Sequence, residues 1–291
     1  MARQLRIEYP GALYHITSRG DGQENIYLSN MDMEMFLAIF ATTCERYHWY
    51  CYAYCLMHNH YHLLIETPLG NLSKGMQHLN GIYTQQFNKK HQRVGHVFQG
   101  RYKGILVDKE HYLLELSRYI VLNPLRAKIV EHVSDWKWSS YSFMLNTLKS
   151  PPWLKVDALL DLFSNDKEKC QNAYIQFVQQ GRKTTIWKNL KNQIYLGTEE
   201  FVNKTINYVN QEKLLEIPKI QYMPPETTVL SLDTYKQKYT SRDEAIYQAY
   251  ISGHYTMKKI GDFFGLHYSR ISKIFHQYQK TNIHLYLHKG I

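Results

Sequence analysis

The chain has 291 residues, of which 44% are hydrophobic and 21% charged, and its formal net charge is +10 at pH 7. These values are typical of a folded globular protein of one to three domains, and no apolar run approaches the roughly 18 residues of a membrane span. The positive charge is spread along the chain and favours a polyanionic partner, either nucleic acid or an acidic membrane surface.

The first half of the chain has the periodicity of one α+β unit, residues 1–148. Alternating apolar residues predict strands, and apolar residues three or four apart predict helices. In chain order these are a strand at 12–18, a helix at 31–46, strands at 49–57 and 60–66 joined by a tight turn, a helix at 72–87, a strand at 105–107 and a helix at 109–123. Pro124 is expected to end the last helix, because the residue before a proline disfavours the helical region. One antiparallel sheet covered by helices is the economical packing of these elements.

The second half contains no comparable chemical motif until its end. Residues 149–216 have helical patterns and form a helical region of unknown role. Residues 217–240 contain three prolines and few apolar runs, so we interpret them as a linker. Residues 241–291 are predicted to form a third unit.

The last unit has the spacing of a helix-turn-helix. Ser241 and Glu244 form a capping box at the start of a first helix that ends near Gly253. A second helix ends at Phe264, Gly265 makes the turn, and a third helix starts near Tyr268. Such a third helix enters the major groove of DNA in proteins of this type, although three-helix units also dock proteins. The candidate DNA-contacting residues are His267, Tyr268, Ser269, Arg270, Ser272 and Lys273.

The N-terminal sequence lacks the apolar segment of a signal peptide, and we expect a cytoplasmic protein with free thiols. Strand alternation predicts that Cys51 and Cys55 lie on the same face as Ala53, as small core residues rather than zinc ligands. The 25 tyrosines suit contact with unpaired bases, although packing in half-buried sheet positions is their commoner role.

The strand 60–66 begins with His60-Tyr61-His62. Side chains alternate along a strand, so His60 and His62 point to one face while Tyr61 points to the other. Two neutral imidazoles on one face are able to share a divalent metal. A single histidine on a strand is usually structural, and the pair is more suggestive of a metal site.

Tyr119 and Asn123 are four residues apart on the last predicted helix of the first unit, and they therefore share one helix face. A phenol is a possible nucleophile, and a carboxamide oxygen is a possible third metal ligand. Such a helix meeting the His60 and His62 face would form a site able to cleave a phosphodiester. The competing interpretation is that Tyr119 is a half-buried packing residue.

Three motifs in this order resemble those of the HUH single-tyrosine transposases, and the REP-associated tyrosine transposases match best. They are HNHYHLLIE, GRYKG and RYIVLNPLRA, and the opening ARQLRIEYPGALYHITSRG is similar too. The resemblance covers roughly residues 1–145. It departs from the family at His58, where members often have proline, and at Tyr61, where they usually have an aliphatic residue.

The resemblance implies a ferredoxin-like (RRM-like) antiparallel sheet and a divalent metal, Mg²⁺ or Mn²⁺. By similarity, His60 and His62 bind this metal with Asn123 in the place of a third polar ligand, and Tyr119 attacks single-stranded or hairpin DNA. The implied product is a 5′-phosphotyrosine with release of a 3′-hydroxyl. Positively charged residues that are candidates to hold the DNA are Arg3, Arg6, Arg19, Arg101 and Lys103. A monomer and a homodimer are both compatible with this resemblance.

Other features of the sequence suggest three alternative functions. His58-Asn59-His60 spells the name of a nuclease motif, but those nucleases draw the three residues from separate elements. His15-Ile16-Thr17 and His132-Val133-Ser134 resemble the paired motifs of RNA-processing phosphoesterases. A DNA-binding regulator that keeps the fold but does not cut DNA is the remaining alternative.

Overall fold

The structure is a computed structural model that describes residues 7–145, 149–164, 166–181, 186–214 and 229–288. The first unit contains β1 (Ala12–Arg19), α1 (Asn30–Tyr47), β2 (Tyr50–Met57), β3 (His60–Thr67), α2 (Leu72–Lys90), β4 (Lys103–Val107), α3 (Lys109–Val121), α4 (Asn123–Arg126) and α5 (Tyr141–Met144). No helix in these ranges is both long enough and apolar enough to cross a membrane.

The remaining described elements follow in two groups. The first comprises α6 (Val156–Leu160), α7 (Lys167–Gln180), β5 (Leu190–Lys191), β6 (Tyr195–Leu196) and α8 (Glu199–Leu214). The second comprises α9 (Leu232–Lys238), α10 (Arg242–Ile251), α11 (Met257–Phe264) and α12 (Tyr268–His288). Helix α9 lies within the segment 217–240 that the sequence analysis interprets as a linker. It starts at Ser231, whose hydroxyl accepts a hydrogen bond from the Thr234 amide, and it buries Leu232 and Tyr235.

The sheet has the strand order β2-β3-β1-β4-β6-β5. Its first four strands are antiparallel and are connected as β1-α1-β2-β3-α2-β4, which is the ferredoxin-like arrangement expected from the sequence. Strand β6 adds to β4 in parallel, and β5 pairs with β6. The region 149–216 is therefore not only helical, because two short strands from it extend the sheet.

The two faces of the sheet carry different side chains. The register pairs Thr17 with His62 and Arg19 with His60, so these four residues share one face. Tyr61 lies on the other face, fully buried, where its ring contacts Phe36 of α1 and its hydroxyl donates to Asn80 of α2. Helices α1 and α2 thus cover the Tyr61 face, while α3 contacts β2 and β3.

Two local predictions were wrong. A β-bulge shifts the register between Cys51 and Ala53, so Cys51 is paired with Ile65 and Cys55 with His62. The two cysteines therefore lie on opposite faces, although both are buried free thiols. Helix α3 ends at Val121, two residues before the predicted end, and Pro124 lies in the first turn of α4, where a proline is tolerated.

Helices α10, α11 and α12 surround a second apolar core of Ile246, Ile260, Ile271, Ile274 and Phe275. The Ser241 hydroxyl accepts from the Glu244 amide at the start of α10. Gly265 ends α11 with φ +66°, a left-handed conformation that favours glycine. Helices α10 and α12 pack on α1, so this C-terminal unit lies on the helical layer that covers the Tyr61 face.

Candidate active site

The predicted histidine pair is placed by the hairpin of β2 and β3. The turn at His58 and Asn59 starts β3, and alternation then directs His60 and His62 to the same face. Their ring centroids are 5.0 Å apart. The ring of His58 packs instead against Trp136, with centroids 5.3 Å apart.

Each of the two rings is held through its Nδ1 atom. His60 Nδ1 donates to the Asn59 carboxamide oxygen at 2.7 Å, which leaves Nε2 as the lone-pair nitrogen. His62 Nδ1 is 3.0 Å from Nε2 of His15, whose ring stacks on that of His62 with an interplanar angle of 5°. For His62 to bind a metal through Nε2, its Nδ1 must donate to His15. Such second contacts fix the ring orientation of metal-binding histidines.

Burial lowers the pKa of all three imidazoles. The pKa of His60 falls to about 4 through burial and then through the positive charge of Arg19. Burial lowers the pKa of His15 to about 3. The pKa of His62 lies well below its usual range because of burial and then the neighbouring His15 and His60. All three rings are therefore neutral at pH 7, the state in which imidazole binds a metal.

Helix α3 brings Tyr119 of the same chain to these histidines. The Tyr119 ring meets the rings of His62 and His15 edge to face, with centroids 6.4 Å apart in both pairs. Tyr119 is half-buried, whereas Ile120 and Leu116 beside it on α3 are fully buried in the core. The apolar face of α3 thus fixes the helix and leaves the phenol at the edge of the histidine face.

Two residues after α3 surround Tyr119. The Asn123 amide nitrogen donates to the carbonyl oxygens of Tyr119 and Ile120 at 3.0 and 3.1 Å. Its carboxamide oxygen is consequently the atom that is suited to a metal. The guanidinium carbon of Arg126 lies 4.5 Å from the centroid of the Tyr119 ring, over its face. Arg126 thus places a positive charge against the face of the Tyr119 ring.

A residue that the sequence analysis did not predict, Trp187, also reaches this site. Its ring stacks on His15 with centroids 5.6 Å apart and meets Tyr119 edge to face at 5.0 Å. His15 is only 3% exposed beneath these rings. The candidate site therefore includes a side chain from the region 149–216.

A cleft of about 340 Å³ opens beside the histidines. It is lined by His60 and His62, by Thr17, Ser18 and Arg19 at the end of β1, and by Gln99, Arg101 and Lys103. Arg19, Arg101 and Lys103 are exposed, so their charges face the solvent side of the cleft. The structure brings these three predicted residues to the histidine pair, whereas Arg3 and Arg6 lie outside the described residues.

The other predicted DNA-contacting residues lie at the start of α12. His267, Tyr268, Ser269, Arg270 and Lys273 are exposed, with 58% of Tyr268 accessible, and Ser272 is half-buried. The His267 ring contacts the Ser269 hydroxyl at 2.9 Å. The core contacts of α12 are made by Ile271, Ile274 and Phe275. The exposed side chains at the start of the helix therefore form a separate polar surface.

The residues present fit a divalent metal that is held by only two imidazoles. In the part of the chain that the structure describes, no cluster of three or more histidine, cysteine, aspartate or glutamate side chains is arranged to hold a metal ion. The remaining ligands would have to be oxygen atoms, for which the Asn123 carboxamide, DNA phosphate and water are suited. The neutral rings of His60 and His62, each with Nδ1 engaged, meet the requirement for the nitrogen ligands.

Comparison with known proteins identifies the family of the chain. The family model for IS200-like transposases matches residues 9–123. A Haemophilus influenzae protein, provisionally named a REP-associated tyrosine transposase, is 30% identical over 152 residues, which is 48% of this chain and 86% of that protein. The chain therefore belongs to the REP-associated tyrosine transposase family.

One solved structure is also similar to the chain. It is described as a REP-associated tyrosine transposase bound to a REP hairpin. The similarity has a TM-score of 0.44 and 16% sequence identity, and it covers 57% of this chain and 93% of the other.

Four residues of this site are not predicted from the sequence, namely His15, Asn59, Arg126 and Trp187. His15 has the alternation that puts it on a face with Thr17 and Arg19, but only the register of β1 against β3 brings it to His62. His15 contacts His62 of the histidine pair, which differs from the role that the phosphoesterase motif would give it. No sequence pattern indicates that Trp187 belongs to the site, because it contacts Tyr119 from 68 residues further along the chain.

Proposed function

We propose that this protein is a divalent-metal-dependent endonuclease and strand transferase that acts on single-stranded, hairpin-forming repeat DNA. The proposal rests above all on one observation, the contact of the Tyr119 ring with His62 within one chain. Because a single chain contributes the histidine pair and the phenol, the reaction needs no partner subunit. The family membership and the name of the Haemophilus influenzae relative support the assignment.

In this proposal His60 and His62 hold Mg²⁺ or Mn²⁺ through their Nε2 atoms, and the carboxamide oxygen of Asn123 serves as a third ligand. When bound, the metal supplies Lewis-acid polarisation of the scissile phosphate. His15 and Asn59 keep the imidazoles oriented through the hydrogen bonds to Nδ1. The neutral state of the rings at pH 7 makes the lone pairs available.

Tyr119 is the proposed nucleophile. Its phenol oxygen forms a bond to phosphorus while the bond from phosphorus to the 3′-oxygen breaks. The proton lost by the phenol is balanced by the proton that the departing 3′-oxygen gains. A 5′-phosphotyrosine results, and a second 3′-hydroxyl reverses the same exchange and joins new ends. The charge of Arg126 over the ring stabilises the phenol oxygen after it loses its proton.

The exposed cations of the cleft are proposed to hold the DNA strand. Arg19, Arg101 and Lys103 line the same cleft as the histidines, at positions where phosphates would reach the metal. The N-terminal Arg3 and Arg6 are proposed to extend this grip. The transposase unit is proposed to span residues 1–148. Within it, the absence of a side chain at Gly104 lets the backbone of β4 lie close to the Ile16 side chain.

Residues 241–291 are proposed to form a helix-turn-helix that contacts DNA through the start of α12. The exposure of Tyr268, Arg270 and Lys273 and the +4 charge of this segment support DNA rather than protein docking. Residues 217–240 are proposed to connect it to the region 149–216. A cytoplasmic location is proposed because the proposed substrate is DNA.

The proposed function is tested with labelled hairpin DNA, Mn²⁺ and a denaturing gel. The wild-type protein is expected to give a protein band that carries the label, because the phosphotyrosine bond survives denaturation. Tyr119→Phe is expected to give no such band while binding the hairpin with unchanged affinity. The matched control is Tyr50→Phe, which removes an exposed hydroxyl at the end of β2 that lies away from the histidine pair and should leave the band intact.

The same gel separates an enzyme from a DNA-binding regulator. Hairpin binding by the wild-type protein without any labelled band would assign the regulator. A labelled band that persists in Tyr119→Phe would show that another residue is the nucleophile.

A further inference from the structure

The region downstream of the transposase core contributes to the candidate active site through Trp187. This residue lies beyond the residues 9–123 that match the family model. Its ring contacts both Tyr119 and His15, at centroid distances of 5.0 and 5.6 Å. The nucleophile of the proposed reaction is thus in direct contact with a part of the chain that the family motifs do not include.

The segment that carries Trp187 is fixed to the sheet. Strand β6 pairs with β4, and the amides of Leu106 and Asp108 donate to the carbonyl oxygens of Ile194 and Leu196 at 2.7 and 2.9 Å. Between Trp187 and these strands, the Asn189 side-chain amide donates to the Tyr112 hydroxyl of α3 at 2.6 Å. Trp187 is therefore held by backbone pairing to the strand that precedes α3 and by a contact to α3 itself.

Two arginines bind the end of α7 to the helices around Tyr119. Arg118 donates to the Phe177 carbonyl oxygen at 3.0 Å, and Arg126 donates to the Gly181 carbonyl oxygen at 2.9 Å. A Cβ atom on Gly181 would lie 2.3 Å from the Arg118 side chain, so a larger residue there would have to displace that side chain. Because Arg118 directly precedes Tyr119, the downstream region also fixes the helix that carries the nucleophile.

We propose that Trp187 is a positioning residue that holds the Tyr119 phenol toward the histidine pair. The inference rests on the proposed function, since it assigns Tyr119 as the nucleophile. The Trp187 ring is already engaged, with one face on His15 and an edge-to-face contact to Tyr119. A ring in that arrangement restricts the rotation of the phenol, and its faces are not both free to stack on an unpaired base.

The test uses the full-length protein and measures the rate constant of adduct formation at saturating hairpin DNA. Trp187→Phe keeps an aromatic edge and is expected to react within about twofold of the wild type. Trp187→Leu keeps an apolar side chain but not the aromatic contact, and its rate constant should fall by about tenfold or more, since small misplacements of a reacting group are costly. Hairpin affinity and Mn²⁺ affinity should be unchanged in both variants.

The control is Trp153→Leu, which removes another half-buried indole, one that packs against Phe40 and Tyr54 rather than near Tyr119. Its adduct rate constant is expected to equal that of the wild type, even if its melting temperature falls. An unchanged rate constant in Trp187→Leu would overturn the proposal. Weaker hairpin binding with an unchanged rate constant would also overturn it, because Trp187 would then be a DNA contact. Absence of any adduct in the wild type would instead count against the proposed function.

Discussion

The two histidines of the candidate site are oriented by different partners. Asn59 holds His60 from the neighbouring position in the chain, whereas His15 holds His62 from the adjacent strand. The first contact is local, so the sequence contains it within two adjacent residues. The second depends on the register of β1 against β3, which no single stretch of sequence specifies. The histidine pair was predictable because a strand repeats every two residues, whereas the contact of His62 with His15 was not.

His15 gives a prediction about metal affinity. His15→Leu removes the partner of His62 Nδ1, and Mn²⁺ affinity is expected to fall by about tenfold or more, as is typical for the loss of such contacts. His15→Gln retains a hydrogen-bonding carboxamide and should recover part of the affinity. Mn²⁺ titration followed by electron paramagnetic resonance measures both, with thermal denaturation as the control for folding. Wild-type Mn²⁺ affinity in His15→Leu would show that the contact does not orient His62.

Long helices and strands with a regular apolar repeat were predicted from the sequence, whereas short ones were not. The strands and helices from 12 to 121 were predicted with ends shifted by a few residues, since each has a strong apolar repeat. Strands β5 and β6 have two residues each, which is too short for a pattern. The β-bulge at Cys51 moves this side chain to the other face of the sheet, and the pattern of residue types does not indicate that bulge. Trp187 was not predicted as a site residue, because its position depends on these short strands.

Helix α12 provides a prediction at this level. Arg270→Ala and Lys273→Ala each remove an exposed positive charge, and hairpin affinity should fall by about tenfold at physiological salt. The adduct rate constant at saturating DNA should not change, because α12 packs on α1, on the layer opposite the histidine face. Fluorescence anisotropy measures the affinity. Lys169→Ala, which removes an exposed charge from α7, is the control and should bind like the wild type.

In the protein as a whole, the two apolar cores meet at α1 and α2. Arg46 of α1 donates to the Tyr250 carbonyl oxygen and lies over the Tyr250 ring at 3.8 Å. His78 of α2 lies beside Tyr250 and Tyr47, with centroids 6.4 and 5.6 Å away, and its Nε2 has no hydrogen-bond partner among the described residues. The contact between the two units thus buries an uncharged imidazole next to a cation. Pairings of this kind join residues more than 150 positions apart, which sequence patterns do not predict.

This contact makes stability depend on pH. Burial, then Arg46 and His276, lowers the pKa of His78 to about 4. Between about pH 6.5 and pH 4 the unfolded chain binds a proton that the folded protein does not, so the free energy of unfolding decreases as pH falls. His15 and His60 act in the same direction. In urea titrations at several pH values, His78→Gln should reduce the pH slope by up to about 1.4 kcal/mol per pH unit. A slope equal to that of the wild type would contradict this assignment.

The covalent bond between Tyr119 and DNA is tested most directly by mass spectrometry of the protein after reaction with hairpin DNA, nuclease treatment and proteolysis. The peptide that contains Tyr119 is predicted to carry a nucleotide joined through its 5′-phosphate to the phenol oxygen. The same modification on a different residue, or an unmodified Tyr119 in a sample in which the DNA has been cut, would contradict it.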